Sequence, residues 1–323
     1  MKRFRWLGFL VGLFLLFWIL RTSDLQQVWQ KISDLRWRFL AVFLFYIVIF
    51  GLDTLGWKFT FYPKMRARLR WDRLFRVRLA GEAVNYVTPT AWIGGEPVKA
   101  YLLSKRYGIP MADGMASVVI AKTTFSVSMF FFIITGIIVT LVTQPLDPAV
   151  FRWVWILLPV LGVLLGLFFL VQFLKPFQRG GSVVGRFVPS WIRTIGSKLH
   201  EWDRAIAGFY REAPRAVFLS LGFHFVGWMA GVVEVYLILY LLKIPVSWAT
   251  AWSLEALWIL LKTGAFMIPA SLGASEGILL LICVGFGISA VSGLALALVR
   301  RARELVWVGL GLLEFSRDSY AKQ

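Results

Sequence analysis

The sequence predicts an all-α integral membrane protein of about six to eight transmembrane helices, in which two re-entrant helical hairpins form an inverted repeat. Three observations lead to this fold class. Apolar runs long enough to cross a bilayer recur along the 323 residues. Basic residues cluster between those runs. Two segments interrupted by proline and glycine share one pattern in the two halves of the chain.

The apolar runs account for most of the predicted spans. A helix needs about 20 residues to cross roughly 30 Å of hydrocarbon. Four runs approach or exceed that length: Phe39–Trp57, Phe125–Val142, Val154–Phe173 and Ala216–Leu242. Trp6–Leu20 follows three basic residues and has no small-residue cleavage site after it, so we interpret it as an uncleaved first span. Residues 1–323 are therefore predicted to form a single transmembrane domain.

The net charge of +18 is concentrated in two loops. Eight Lys and Arg residues fall within Lys58–Arg78 and another eight within Lys175–Arg215, whereas Thr143–Arg152 and Lys243–Ser247 carry one each. The positive-inside rule puts the basic loops, and with them both chain termini, in the cytoplasm. This distribution is typical of a protein that faces an anionic leaflet, and it argues against a nucleic-acid partner. We expect a multi-pass protein of the bacterial inner (cytoplasmic) membrane.

An internal repeat relates residues 79–142 to residues 259–316. Leu79–Pro89 aligns with Ile259–Pro269, and the similarity continues through a short helix into a long one. The registration holds over about 45 residues with one insertion, which makes a chance match improbable. We predict that each copy consists of a re-entrant hairpin followed by a long helix.

The two copies place charges at matching positions. A glutamate, Glu96 or Glu276, begins the short helix, and the long helix carries a cation, Lys122 or Arg301. A helix of about 11 to 12 residues rises only about 17 Å, half the hydrocarbon thickness. Irregular backbone at that depth has to be buried in protein or line a polar cavity. The predicted hairpin breaks are Pro89, Gly94, Gly95, Pro269 and Gly273. The sequence leaves open whether Trp248–Ile268 crosses the membrane fully or turns back.

Ionisable residues in the predicted membrane segments define the candidate site. Each would cost about 3 kcal/mol if it faced lipid, so they have to face one another or water. Cations gathered in such a place can bind a phosphate, which arginine grips through two parallel hydrogen bonds. The predicted substrate-binding residues are Glu82, Asn85, Glu96, Lys122, Lys262, Glu276, Arg300, Arg301, Arg303 and Glu304. Glu234 and Glu255 also fall in apolar segments.

Simpler roles stay open for several of these residues. Glu96 and Glu276 also suit the positive end of a helix dipole. The arginines of Arg300–Arg303 would equally fit a surface turn between two short helices, or ion pairs without a ligand. We expect His224 to have a hydrogen-bonded structural role and Asp53 to lie at the membrane interface. No metal-ligand spacing, nucleophile motif or nucleotide-binding loop is present, so no metal, cofactor or catalytic residue is predicted.

Two motif blocks carry a family resemblance. The first comprises Gly81–Asn85, Pro89 and Gly94–Ala100, and the second is Pro269–Gly277. Together they resemble the lysylphosphatidylglycerol synthase transmembrane, or flippase-like, family over nearly the whole chain. Ala297–Trp307 is most similar to the hopanoid-biosynthesis-associated branch of that family. The resemblance implies a lipid flippase-like module of the bacterial inner membrane.

The same resemblance limits what can be carried over. In the aminoacyl-phospholipid members of the family, a separate C-terminal soluble domain transfers the amino acid. Because the chain stops at Gln323, directly after the last predicted span, we expect no synthase activity. Lys122 stands where the family resemblance leads us to expect an acidic residue or arginine, which leaves the identity of the ligand open.

Three functions are consistent with the sequence. The leading one is a lipid transporter that binds an anionic phospholipid, polyprenyl or hopanoid-type lipid at a midplane cleft, works by alternating access and uses a coupling proton or ion. The alternatives are an intramembrane lipid-modifying transferase and a non-transporting lipid-binding scaffold. Only two histidines are present and no acidic metal-binding pair is evident, so the transferase is the least favoured.

Overall fold

The computed structural model describes residues 2–88, 94–143, 206–264 and 271–320, and isolated helical positions between 152 and 167. Within these residues the chain forms helices joined by turns, with no strand. The predicted all-α membrane fold is confirmed. The predicted breaks Pro89 and Pro269 lie outside the described residues, and so does most of the predicted span Val154–Phe173.

The helices of the described ranges are α1 (Lys2–Thr22), α2 (Leu25–Ser33), α3 (Phe39–Lys58), α4 (Pro63–Arg68), α5 (Trp71–Val87), α6 (Gly95–Tyr107), α7 (Met111–Thr143), α8 (Pro214–Leu241), α9 (Trp248–Gly264), α10 (Ala274–Gly285) and α11 (Ala290–Tyr320). A 3-10 turn at Arg36–Arg38 joins α2 to α3, and a short helix occupies 206–212. Side chains of residues 2–11 and 318–320 are outside the description.

Local sequence signals fix several helix ends. The Asp24 side chain accepts a hydrogen bond from the backbone N–H of Gln27, which caps α2. Pro63 and Pro214 begin α4 and α8, where the missing N–H costs no hydrogen bond. Gly108 ends α6 with a φ of 65°, a left-handed conformation that favours glycine.

Three helices among the described residues are long and apolar enough to cross a membrane. They are Arg36–Lys58, Met111–Thr143 and Pro214–Leu241, and they contain three of the four predicted apolar spans. Gly12–Thr22 and Ala274–Gly285 are shorter apolar helices. The chain is therefore a multi-pass membrane protein. The number of crossings and the re-entrant path of the hairpins stay predictions.

The packing is apolar outside and charged inside. Val142 on α7 is 79% exposed, and Phe218 on α8 and Leu313 on α11 also point outward. In contrast, Glu234 on α8 is only 1% exposed, and Arg303 on α11 is buried as well. Exposed apolar side chains and buried charges suit a protein that is surrounded by lipid. Apolar side chains are stable in contact with lipid, whereas a charged side chain that faces lipid without a partner has a large free-energy cost.

Two groups of three helices have matching lengths. The helices α5, α6 and α7 have 17, 13 and 33 residues, and α9, α10 and α11 have 17, 12 and 31. In each group the short middle helix packs against both of its neighbours. Between groups, α11 packs against α5 and α7 packs against α9. This reciprocal arrangement supports the predicted repeat, whose inverted topology stays a prediction.

Glycines allow the close approaches at both predicted hairpins. A Cβ on Gly95, the first residue of α6, would collide with the backbone carbonyl of Gly81 on α5. Gly273, just before α10, has a φ of 72°, and a Cβ there would collide with the α1 backbone at Gly12. The start of each short helix is thus pressed against another helix at a position where only glycine fits.

Candidate functional site

A cavity of about 410 Å³ lies among α3, α5, α6, α7, α8, α9 and α11. Its charged lining, counted over the described residues, consists of six carboxylates and six cations. These are Asp53, Glu82, Glu96, Glu234, Glu255 and Glu304, with Arg78, Lys99, Lys122, Lys262, Arg300 and Arg303. Their formal charges cancel. This described part of the wall is strongly polar but electrically neutral.

A hydrogen-bonded network joins α5 and α6, the two arms of the first predicted hairpin. Lys99 Nζ on α6 lies 2.7 Å from Glu82 Oε1 and 2.9 Å from Glu96 Oε2. Asn85 Nδ2 donates to the same two carboxylates at 3.2 and 3.3 Å. The Asn85 carbonyl oxygen accepts from the Gly95 N–H at 2.6 Å, which satisfies one of the open donors at the start of α6. The network fixes α5 against α6 at the level of both glutamates.

Each predicted copy of the repeat contains one pair between a short-helix glutamate and a long-helix cation. Lys122 Nζ on α7 is 3.5 Å from Glu96 Oε1, in the first turn of α6. Arg301 on α11 pairs with Glu276, in the first turn of α10. The sequence alignment matched these residues, and the structure brings each pair into contact. Both glutamates also lie at the positive end of a helix dipole, as the simpler interpretation expects.

The arginines of α11 are buried inside one continuous helix. Arg300 donates two hydrogen bonds to Glu255 on α9, at 2.6 and 2.9 Å. Arg303 Nε is 3.1 Å from Glu234 Oε1 on α8, and Arg300 Nη2 is 3.7 Å from the other oxygen of Glu234. The alternative of a surface turn between two short helices is therefore wrong. These arginines already hold carboxylates, as the alternative of internal ion pairs expects.

A second set of contacts surrounds Glu304 and joins four helices. Arg301 lies against Glu276 and the hydroxyl of Tyr86, and its Nη1 is 3.2 Å from Glu304 Oε2. The Tyr86 hydroxyl is 3.3 Å from the same oxygen, and Lys262 Nζ is 3.8 Å from Glu304 Oε1. The contacts connect α5, α9, α10 and α11. Both predicted hairpins therefore meet at this end of the cavity.

Aromatic rings complete the polar lining by stacking on the cations. Trp258 contacts both Arg300 and Lys262, whose charged groups lie 4.0 and 4.2 Å from its ring centroid. Arg303 lies 4.0 Å from the centroid of the Tyr46 ring. Such contacts contribute about 0.5–2 kcal/mol each.

The cavity also contains a cluster that the sequence analysis did not assign to the site. Asp53 on α3 lies 3.1 Å from Arg78 Nη2 and 2.9 Å from His224 Nδ1. Within the protein, α5 and α8 cover the Asp53 side chain, and its position at the membrane interface stays a prediction. His224 is hydrogen-bonded, as predicted.

All ten predicted site residues lie in or beside this one cavity. Gly94 and Gly95 form the start of α6, and Gly273 immediately precedes α10. Lys99, Arg78 and Asp53 were not predicted as site residues, and Glu234 and Glu255 had no predicted role. Lys99 follows Glu96 by three residues, a spacing that places both on one helix face, and this signal would have found it.

No group of three or more His, Cys, Asp or Glu side chains in the described ranges is arranged to hold a metal ion. The described site contains paired carboxylates, ammonium groups and guanidinium groups around a space large enough for a small ligand.

The chain matches a family model over residues 5–311, and the description of that model is "Lysylphosphatidylglycerol synthase TM region". It is also 25% identical over 296 residues to a UPF0104 membrane protein of Methanothermobacter thermautotrophicus. That similarity covers 88% of this chain and 85% of the relative. No solved structure matches the chain. Because the family model covers almost the whole chain, the protein belongs to the lysylphosphatidylglycerol synthase TM region family, a lipid-related family of membrane proteins.

Proposed function

We propose that this protein is a lipid transporter of the flippase-like type, which holds the anionic headgroup of a membrane lipid in the charged cavity. The observation that carries the proposal is the cavity itself, about 410 Å³ in volume and walled by helices whose outer surfaces are apolar. Pockets for small ligands commonly measure about 300–1,000 Å³. A lipid headgroup fits this volume, and its acyl chains would stay in the bilayer.

The main obstacle to lipid movement is the free-energy cost of taking a charged headgroup through the bilayer, and the charges of the cavity can lower this cost. A single charge at the centre of a bilayer costs about 3 kcal/mol even on the most lenient scale. Paired cations and carboxylates replace part of the lost hydration when they lie where the headgroup passes. A phosphate would meet the cations, and any ammonium or hydroxyl group of the same headgroup would meet the carboxylates. We therefore favour transport over catalysis as the function of the site.

Lys122 and Lys262 are the cations that we assign to the headgroup. Their side chains are 31% and 19% exposed, compared with 6% for Arg300. The Lys262 ammonium lies 3.8 Å from Glu304 Oε1, whereas Arg300 lies 2.6 Å from Glu255. The more exposed lysines can reach a phosphate without breaking a fully buried ion pair such as that of Arg300. In this proposal Arg300 and Arg303 organise the site, and the two lysines contact the ligand.

The basic loops suggest where the transporter works. Such loops face the cytoplasm in multi-pass proteins. They also attract anionic lipids, at about 1 kcal/mol for each basic residue near the surface. The proposal therefore includes the bacterial inner membrane as the location, with both chain termini in the cytoplasm.

The test is lipid movement in vesicles. Purified protein is reconstituted into phosphatidylcholine vesicles that contain a fluorescent phosphatidylglycerol, and the fraction of probe reachable from outside is followed with a membrane-impermeant quencher. We expect Lys122→Met to slow movement by about tenfold or more, because a hydrogen bond to a charged group contributes roughly 1.5–3 kcal/mol. Lys122→Arg should retain most of the rate.

A matched control is available on the outside of the protein. Lys105 is exposed on α6 and does not line the cavity, so Lys105→Met should leave the rate unchanged. Equal slowing by Lys122→Met and Lys105→Met would refute the role of the cavity. Binding of the probe without movement would favour the scaffold function, and chemical conversion of the lipid would favour the transferase.

A further inference from the structure

The cluster of Asp53, Arg78 and His224 has no assigned role in the proposed function. It lines the cavity and lies deep within the helix bundle, with His224 only 1% exposed. We propose that His224 is a proton-binding site whose protonation is coupled to the binding of an anionic headgroup in the same cavity. The inference deepens the proposed function, on which it rests, by naming the coupling ion and its site.

Hydrogen bonding fixes which nitrogen of His224 takes the proton. The Asp53 carboxylate accepts a hydrogen bond from Arg78 Nη2 at 3.1 Å and lies 2.9 Å from His224 Nδ1. An ionised carboxylate only accepts hydrogen bonds, so Nδ1 carries the hydrogen of the neutral ring. Within the described part of the chain, Nε2 has no hydrogen-bond partner. Nε2 is therefore the atom at which the imidazole would bind a proton.

The residues around His224 leave space for an imidazole ring and pack against it. A Cβ on Gly56 of α3 would lie 2.7 Å from the Cε1 and Nε2 atoms of His224, so a glycine makes room for the ring. The Phe125 ring of α7 meets it edge-on, with centroids 5.4 Å apart. A core position that needed only apolar filling would not place a carboxylate, a guanidinium and an imidazole together.

Several charged groups surround His224. Asp53 on α3 lies beside the ring, and Arg78 on α5, Lys99 on α6 and Lys122 on α7 line the same cavity. The Phe125 ring of α7 contacts the imidazole edge-on. The acidic and basic groups of α9 and α11 that line the cavity are engaged in their own ion pairs. A negative charge added to the cavity would favour the protonated ring relative to the empty cavity.

The neutrality of the described cavity wall gives the coupling its direction. With six carboxylates and six cations, this wall has no net charge to attract an anion. A proton on Nε2 adds one positive charge, and an anionic headgroup adds one negative charge. Each makes the other more favourable, and linkage requires the two effects to be equal. The protein would thus take up one proton together with one singly charged lipid.

The experiment reads the proton directly. The chain has two histidines, so His200→Gln leaves His224 as the only imidazole for labelling with carbon-13. Its resonance is followed from about pH 5 to 8.5, the range in which histidine commonly titrates. The protein is embedded in nanodiscs of phosphatidylcholine alone, or of phosphatidylcholine mixed with phosphatidylglycerol. We expect the midpoint to rise by about one pH unit with phosphatidylglycerol, a coupling of about tenfold.

A control separates cavity binding from the surface potential of the membrane. Lys122→Met keeps the same anionic membrane but weakens headgroup binding in the cavity. The shift should shrink in this variant and persist in Lys105→Met. An undiminished shift in Lys122→Met would assign the effect to the surface and overturn the inference. A resonance that does not titrate, or a midpoint that ignores phosphatidylglycerol, would overturn it as well.

Transport measurements keep this inference distinct from the proposed function. In the vesicle assay, movement of phosphatidylglycerol should depend on pH in the wild type and lose that dependence in His224→Gln and in Asp53→Asn. Lipid movement with a silent His224 would retain the transporter and remove the proton site. A lipid-dependent titration without movement would retain the proton site and remove the transporter.

Discussion

Replacing Arg300 with methionine tests whether the arginines of α11 hold the fold together. The substitution removes two hydrogen bonds to Glu255, of 2.6 and 2.9 Å, and leaves that buried carboxylate without a cation. Glu234 still has Arg303 at 3.1 Å, so the substitution removes the ion pair of one buried carboxylate, Glu255, rather than of two. Breaking one partner out of a buried pair typically costs 3–5 kcal/mol, and we expect a loss of about 3–5 kcal/mol in unfolding free energy.

The measurement is reversible unfolding of the protein in mixed micelles, arranged as a double-mutant cycle. Arg300→Met and Glu255→Met alone should each be strongly destabilising, and the double variant should recover most of the loss, because no charge is then left unpaired. Arg317→Met on the same helix is the control. Arg317 is 70% exposed, and its partner Glu314 also pairs with Arg106 at 2.8 Å, so removing Arg317 leaves Glu314 with a cation and should cost about 0–1 kcal/mol.

Two outcomes would contradict the reasoning. If Arg300→Met costs no more than Arg317→Met, Glu255 is not a buried charge that depends on Arg300. If the two single losses simply add in the double variant, the two side chains do not interact. A stable Arg300→Met variant that fails to move lipid would instead indicate that Arg300 binds the headgroup directly, as the sequence predicts.

The hairpin glycines give two further predictions. Gly95→Ala should destabilise the protein by about 1–3 kcal/mol, because its Cβ meets the Gly81 carbonyl, whereas Gly222→Ala on α8 has open space and should be neutral or slightly stabilising. Gly273→Ala should lower the stability at least as much, because the alanine would be strained at a φ of 72° and its Cβ would collide with α1. The control is Gly285→Ala, since a Cβ on Gly285 would have no atom within 4 Å. Thermal unfolding in detergent checks both, and a variant no less stable than its control contradicts the close approach.

The features that the sequence could predict are those encoded by spacing along the chain. The predicted repeat matches Glu96 and Lys122 with Glu276 and Arg301, and the two residues of each pair are in contact. The lengths of the long apolar helices could also be predicted, because the length of an apolar run is read directly from the sequence. A repeat fixes which residues are equivalent, and equivalent residues in equivalent helices meet equivalent partners.

The features that the sequence could not predict depend on pairing between distant helices. Asp53 and His224 are 171 positions apart, and Arg300 and Glu255 are 45 apart. No periodicity connects such pairs, because their contact depends on how α8 packs against α3 and how α9 and α11 both pack against α10. Asp53 was expected at the interface because it lies near the end of an apolar run. What the apolar run does not show is that Gly227, whose Cβ would lie 3.0 Å from Asp53 Oδ1, lets α8 close over this side chain.

Charge placement joins the fold to the proposed mechanism. The six carboxylates and six cations in the described cavity lining cancel, so the net charge of +18 lies entirely in the rest of the chain. The basic loops can therefore gather anionic lipid at the membrane surface while the cavity itself does not trap it. A cavity with a large positive charge would bind an anionic headgroup tightly and release it slowly. A neutral cavity that gains one charge by protonation binds the headgroup when the proton arrives and lets it go when the proton leaves.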